Sequence, residues 1–207
     1  AANPITLTDP DGKEVMADEL SRINICNTLT KEESEYVRFD KNGMLDVQLL
    51  NKSQSASENM IALKALANSE VEYNFMVADK DHEGKKYFDT SETDGNFYRG
   101  TTEMPNAERN SSPDDKVFII VGKILNEKQQ AVTTAHEAFG HAYFYEIFRD
   151  TEQSSHTYTK DGKIVWDEEL KVYGVETIRI PANPVLENRI KIVTNIARQN
   201  YENRFGK

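Results

Sequence analysis

Two of the four histidines in this 207-residue chain fall in one short run, Ala135-His136-Glu137-Ala138-Phe139-Gly140-His141-Ala142. Two imidazoles on one helical segment can hold a Zn²⁺, and a carboxylate directly after the first can take a proton from water on the ion. The spacing is His-Glu-x-x-x-His, one residue longer than the common His-Glu-x-x-His arrangement. On a regular α-helix, side chains four apart are rotated by only ~40°, whereas those five apart are rotated by ~140° and diverge. A local π-bulge, with its i→i+5 hydrogen bond, returns the fifth residue to the same face. Gly140, lacking a Cβ, would relieve crowding in such a bulge. The alternative is that His136 and His141 are ordinary polar residues on a half-buried helix.

The run needs elements to position it. Glu127 to Arg149 reads as one helix, given apolar character by Val132, Ala135, Phe139, Ala142, Phe144 and Ile147. Upstream, Val117-Phe118-Ile119-Ile120-Val121 is a β-branched and aromatic run expected to form a buried strand. Lys41-Asn42-Gly43 between the runs 36–40 and 44–50 predicts a hairpin. A helix is expected over 59–68, a strand over 71–78, and a closing helix over 184–201 that carries Val185, Ile190, Val193 and Ile196. Residues 79–115 and 150–167 are polar spans without clear periodicity, the first long enough to suggest a functional loop system. The parts compose an α+β, zincin-like domain: a small mixed sheet packed on the histidine helix, with a C-terminal helix closing on it. Residues 1–15 read as a linker and 16–207 as the domain.

A net charge of −10 and a pI near 5.0 argue against a nucleic-acid or anionic-membrane binder. No apolar run has membrane-spanning length, and Ala1-Ala2-Asn3-Pro4 does not resemble a signal peptide. Cys26 is the single cysteine, so it forms no internal disulfide and no thiolate cluster; a small packed residue is the expected role.

A catalytic zinc takes three protein ligands and leaves one position for water. Only His82 and His156 remain among the histidines, so a carboxylate is the expected third ligand. Glu187, in the first turns of the closing helix, is the best candidate. Glu168, Glu169, Glu176 and His156 are alternatives nearer in sequence.

Two stretches also carry a resemblance. Asn3-Pro4 followed by Asp9-Pro10-Asp11-Gly12 is similar to the junction at which the core of Rhs-repeat proteins gives way to a variable C-terminal toxin domain. From about Thr101 onward the chain resembles the metallopeptidase-type toxin domains found at those C-termini. The resemblance lies in Thr102 with Pro105, Asn110-Ser111-Ser112-Pro113-Asp114, Ile119-Ile120-Val121, the Ala135–Ala142 run, and Glu187-Asn188-Arg189. The first hundred residues resemble such domains more loosely. In that family a Glu-Asn pair on a late helix completes the metal sphere, which implies Glu187 here. The longer histidine spacing also occurs in the otherwise unrelated dipeptidyl peptidase III family. The resemblance further implies a polymorphic-toxin effector, secreted or delivered to a target cell as part of a larger bacterial protein, with a cognate immunity protein as partner.

The expected chemistry is hydrolysis of a protein or peptide substrate: His136, His141 and Glu187 hold Zn²⁺, and Glu137 is the general base. Tyr158 and Tyr173 are candidate donors to a developing oxyanion. Asn188 is a candidate support for a ligating histidine, with a helix cap or surface amide the equal alternative. Arg189 and Arg204 suit ion pairs on the closing segment better than substrate carboxylates. Two rival readings are a catalytically degenerate zincin-like binding module and a metal-free carbohydrate- or protein-binding domain.

Overall fold

The β-branched run at the centre of the chain builds the sheet, and the helices gather on one of its faces. A computed structural model describes residues 15–81, 99–105, 111–112, 116–155, 158–167, 172–180 and 183–206, with Gly84, Phe88 and Ala107 besides. In chain order the elements are β1 (Val15–Ala17), α1 (Glu19–Asn27), α2 (Lys31–Ser34), α3 (Val47–Leu50), α4 (Glu58–Ala67), β2 (Glu72–Ala78), β3 (Gly100–Pro105), β4 (Ser111–Ser112) and β5 (Lys116–Gly122). Then follow α5 (Glu127–Thr134), a π-helical segment (Ala135–Ala142), α6 (Tyr143–Phe148), β6 (Tyr158–Asp167), β7 (Val172–Ile180) and α7 (Pro184–Phe205).

β1, β2 and β5 are parallel neighbours and β3 joins β5 antiparallel, giving the order β1-β2-β5-β3. The two residues of β4 extend this sheet alongside the end of β3. β6 and β7 form a separate antiparallel pair with a register shift between Asp161 and Ile164. The fold is therefore mixed α+β around a small mixed sheet.

Side-chain alternation decides which residues meet the helices. Tyr73 pairs with Val117, Phe75 with Ile119, and Thr102 with Ile119, so these residues share one face. Tyr73, Phe75, Val117 and Ile119 belong to one buried cluster with Leu63 and Leu66 of α4, Phe139 of the π segment and Val193 of α7. Each fully buried side chain of this size contributes ~1.5–3 kcal/mol. Ala135, Ala138 and Ala142 are all fully buried, and their small side chains let the histidine segment lie close against its neighbours.

Caps set the helix ends. Asn126 and Gln129 form a reciprocal capping box at α5, and Asn183 with Pro184 opens α7. Asp18 caps α1 through Ser21 N–H and also accepts Val77 N–H at 2.8 Å, tying that helix to β2. At the end of α6, Glu146 accepts from Tyr73 Oη at 2.6 Å and from Arg149 at 2.9 Å. Burial, reinforced by that carboxylate, pushes the Tyr73 phenol far above its usual pKa, so it remains a donor.

Several sequence expectations change in the folded chain. The Asn42-Gly43 turn forms, with Gly43 at φ 98° and an added Cβ 2.6 Å from Ala17 O. Yet the pairing beside it is confined to the bridges Phe39↔Leu45 and Met16↔Met44. Asp46 accepts Leu49 N–H and turns the second run into α3, because a local Asp cap satisfies the backbone that a strand would have left open. The polar span 79–115 contains β3, whose strand signal is weak because Thr101, Thr102 and Glu103 are polar yet buried. The span 150–167 likewise contains β6. Val15, assigned to the linker, opens β1 opposite Tyr73; residues 1–14, with their junction motif, lie outside the described residues. No helix among the described residues is long and apolar enough to cross a membrane.

Candidate metal centre

The helix expected over 127–149 is not uniform: its middle third, Ala135–Ala142, is π-helical and α-helical turns lie on either side. The wider turn brings the two imidazoles together, nitrogen to nitrogen. His136 Nε2 and His141 Nε2 are 3.2 Å apart, with ring centres 5.0 Å apart and planes at 55°. Two nitrogens bound to one tetrahedral Zn²⁺ at ~2.0–2.1 Å lie ~3.3–3.4 Å apart, so the pair already has the edge length of that polyhedron.

The second nitrogen of His141 fixes its tautomer. Its Nδ1 is 2.5 Å from the carbonyl oxygen of Ser154, which has no proton to give. Nδ1 is thus the donor, and in the neutral ring Nε2 presents a lone pair toward His136. A ligating histidine commonly donates its other N–H to a carbonyl in this way. Ser154 is itself fully buried and its hydroxyl donates to Asp150 O at 2.6 Å, so the carbonyl is held in a defined turn. The pair thus has the spacing and the tautomer that two histidine ligands of one Zn²⁺ would need.

Glu137 lies beside the pair. Thr102 Oγ1 donates to Glu137 Oε2 at 2.8 Å and lies 3.0 Å from the Glu137 carbonyl oxygen. Glu137 Oε1 is 4.0 Å from His136 Nε2, too far for a direct hydrogen bond and right for a bridging water. The Glu137 side chain is 9% exposed and that of His136 is 30% exposed, so access to the pair is from the His136 side. Gly100, the β3 residue two before Thr102, keeps this wall thin: an added Cβ would lie 2.7 Å from Thr133 Cγ2 and 3.1 Å from Glu137 Cγ.

Glu187 lies in the first turn of α7 and is half-buried, and Asn188 is exposed. Glu187 precedes Ile190 by three residues, so both belong to one side of the helix. Among the described residues, no three His, Cys, Asp or Glu side chains stand close enough to hold a metal together. The fold thus unites His136, His141 and Glu137, and it does not draw Glu187 into a three-ligand group with them. His82, His156, Glu168 and Glu169 lie outside the described residues. Of Glu176, Tyr158 and Tyr173, only the backbone is described, in β7, β6 and β7 respectively.

Gly140 has a role beyond the one expected. A Cβ at this position would lie 2.6 Å from Ile190 Cγ1, so the missing side chain also admits α7. Gly140→Ala is expected to be destabilising. The better helix propensity of Ala is worth ~1 kcal/mol, but overpacking a fixed Cγ1 costs ~1–3 kcal/mol. Thermal denaturation of Gly140→Ala, Ile190→Ala and the double variant checks this. The alanine at 140 should lower the midpoint in the wild-type background and not in the Ile190→Ala background. Equal losses in both would show that the contact is not limiting.

The sequence assigns no role to Ser154, and it marks Thr102 only among the residues that carry the resemblance. For Thr102 the available signal was its place in a β-branched pair, Thr101-Thr102, ahead of an apolar Met104; for Ser154 there was none. The ion pair expected of Arg189 forms with Glu58 of α4 at 2.8 Å, whereas Arg204 donates to Leu29 O, Thr30 O and Ser34 Oγ. Cys26 is half-buried in α1, and burial pushes its thiol above the usual pKa despite the opposing Arg204 charge. It is poorly suited to be a nucleophile.

No family model matches the chain, and no curated protein or solved structure is significantly similar to it.

Proposed function

We propose that this chain is a zinc-dependent metallopeptidase with a zincin-like active site, and that it serves as the toxic C-terminal domain of an Rhs-type polymorphic toxin. The observation that carries the enzymatic part is the 3.2 Å Nε2–Nε2 pair, with the His141 tautomer set by Ser154 O. The toxin part rests on the sequence resemblance alone. It brings with it delivery to a target cell and a cognate immunity protein; an acidic domain of this kind suits an inhibitor with a basic face.

His136 and His141 supply two nitrogens, and Glu187 is the proposed third ligand. Supporting that choice, the first turns of α7 pack on the π segment through Ile190 at Gly140 and Arg189 at Phe139 O. When bound, Zn²⁺ polarises a carbonyl and makes water a nucleophile near neutral pH. Glu137 is the proposed general base: Thr102 donates to Oε2, and Oε1, 4.0 Å from His136 Nε2, is the oxygen that would accept the proton of a water between them. The same carboxylate then hands that proton to the leaving amine. Burial of Glu137 and His141 against the sheet keeps the water-accessible side to the His136 edge.

The test is metal content by elemental analysis of the purified protein, beside His136→Ala and Glu187→Ala. Near-stoichiometric zinc that is lost in both variants supports the full ligand set. Loss in His136→Ala alone transfers the third position to Glu168, Glu169, Glu176 or His156. A wild-type protein that takes up no zinc even when it is supplied sinks the peptidase reading. Zinc retained without hydrolysis of any peptide would favour the catalytically degenerate binding module.

A further inference from the structure

The carbonyl of Phe139 has an unusual partner. In an unbroken α-helix the Tyr143 N–H would donate to it, four residues back. Here the Tyr143 N–H meets Ala138 O and Gly140 O instead. Phe139 O accepts from Arg189 Nε of α7 at 2.8 Å. The guanidinium is clamped on its remaining sides. Nη1 donates to Glu58 Oε2 at 2.8 Å, Nη2 donates to Glu58 O at 3.2 Å, and the group stacks 3.7 Å from the centre of the Tyr143 ring. Its side chain is only 13% exposed.

We infer that Arg189 is a positioning residue that holds Ala135–Ala142 in its π register and thereby sets His136 and His141 against one another. The physical reason is the compensation of an orphaned acceptor. The π register takes Tyr143 N–H away from Phe139 O, and the charged guanidinium, fixed from three directions, gives that oxygen another donor. The cost of directing Tyr143 N–H one residue further back is thereby offset, the turn stays wide, and side chains five apart come onto one face. Gly140 is part of the device, since only a residue without Cβ lets Ile190 approach and brings Arg189, its neighbour, within reach. Arg is suited to the task because its planar fork makes several directed hydrogen bonds while stacking on a ring; Lys offers a point charge. The consequence for metal binding rests on the zinc reading above, whereas the register claim does not.

The experiment compares metal-free wild type with Arg189→Met and Arg189→Lys by NMR, then titrates each with Zn²⁺ against a chromophoric chelator. NOEs between the two imidazoles and the hydrogen-bond coupling of Tyr143 N–H report the register without metal. In Arg189→Met, the coupling should move from Ala138 to Phe139 and the inter-imidazole NOEs should vanish. Zn²⁺ should bind ~10–100-fold more weakly, the usual effect of losing support behind the ligands. Arg189→Lys should show the same changes to a smaller degree, and it carries the comparison if Arg189→Met does not fold. Folded variants that keep the Ala138 coupling and the NOEs overturn the inference. A wild type with both NMR signatures but no Zn²⁺ binding ends the metal reading and leaves the register inference standing.

Discussion

Glu137→Gln is expected to lower peptide hydrolysis by the zinc-loaded protein by ~10²–10⁴-fold, the usual contribution of a positioned general base. The substitution is nearly isosteric, and the Gln amide oxygen can still accept from Thr102, so the wall between β3 and the π segment is preserved. Zinc content should therefore be unchanged, because position 137 carries the base and not a ligand. What is lost is the proton acceptor facing the gap beside His136 Nε2, 4.0 Å away. The measurement is turnover of internally quenched peptides by matched zinc-loaded samples, with metal content determined on the same samples. Full activity in the variant would remove Glu137 from the mechanism. Zinc lost together with activity would make it a ligand instead.

Removing His141 should cost the protein most of the stability that zinc confers. A ligand at a thousandfold excess over its Kd adds ~4 kcal/mol to the folded state. In a domain of this size each kcal/mol moves the midpoint by ~2–4 °C, so zinc should raise wild-type Tm by ~8–16 °C and a chelator should reverse the gain. In His141→Ala the increment should fall close to zero. The metal-free variant also loses the hydrogen bond from Nδ1 to Ser154 O, at a cost of ~1–3 kcal/mol for the buried acceptor left unpaired, and the packing of a buried ring. Metal-free proteins must therefore be compared first, and the zinc increment measured from each baseline. A wild-type midpoint indifferent to zinc and chelator, or an undiminished increment in His141→Ala, would exclude this histidine as a ligand.

The local elements were legible where one signal dominated. The run 117–121 is apolar and β-branched enough to form a strand in nearly any setting, and β5 is that strand. The helix over 59–68 carries its own N-cap in Ser57, and α7 opens with Asn183-Pro184 and closes at Gly206 in the left-handed region. The His-x-x-x-x-His spacing itself demanded a wider turn. Its residue types could meet at one ion only if that turn existed, and the turn is present in the fold. The misread regions are those where polar residues are buried or local capping competes. Thr101, Thr102 and Glu103 hide a strand inside a polar span, and Asp46 turns an expected strand into a short helix.

What the amino-acid order determined by itself was therefore the chemistry on offer: two imidazoles, a carboxylate beside the first, and a helix obliged to depart from α geometry if they were to cooperate. Whether the departure occurs was decided by residues distant in sequence. Arg189 reaches Phe139 O across 50 positions, Thr102 reaches Glu137 across 35, and Ile190 fills the space left at Gly140. The reason is physical. An α-turn and a π-turn compete for the same backbone donors and acceptors over the same few residues. The contacts that separate them, one claimed carbonyl and one absent Cβ, exist only once α7 has packed against the segment.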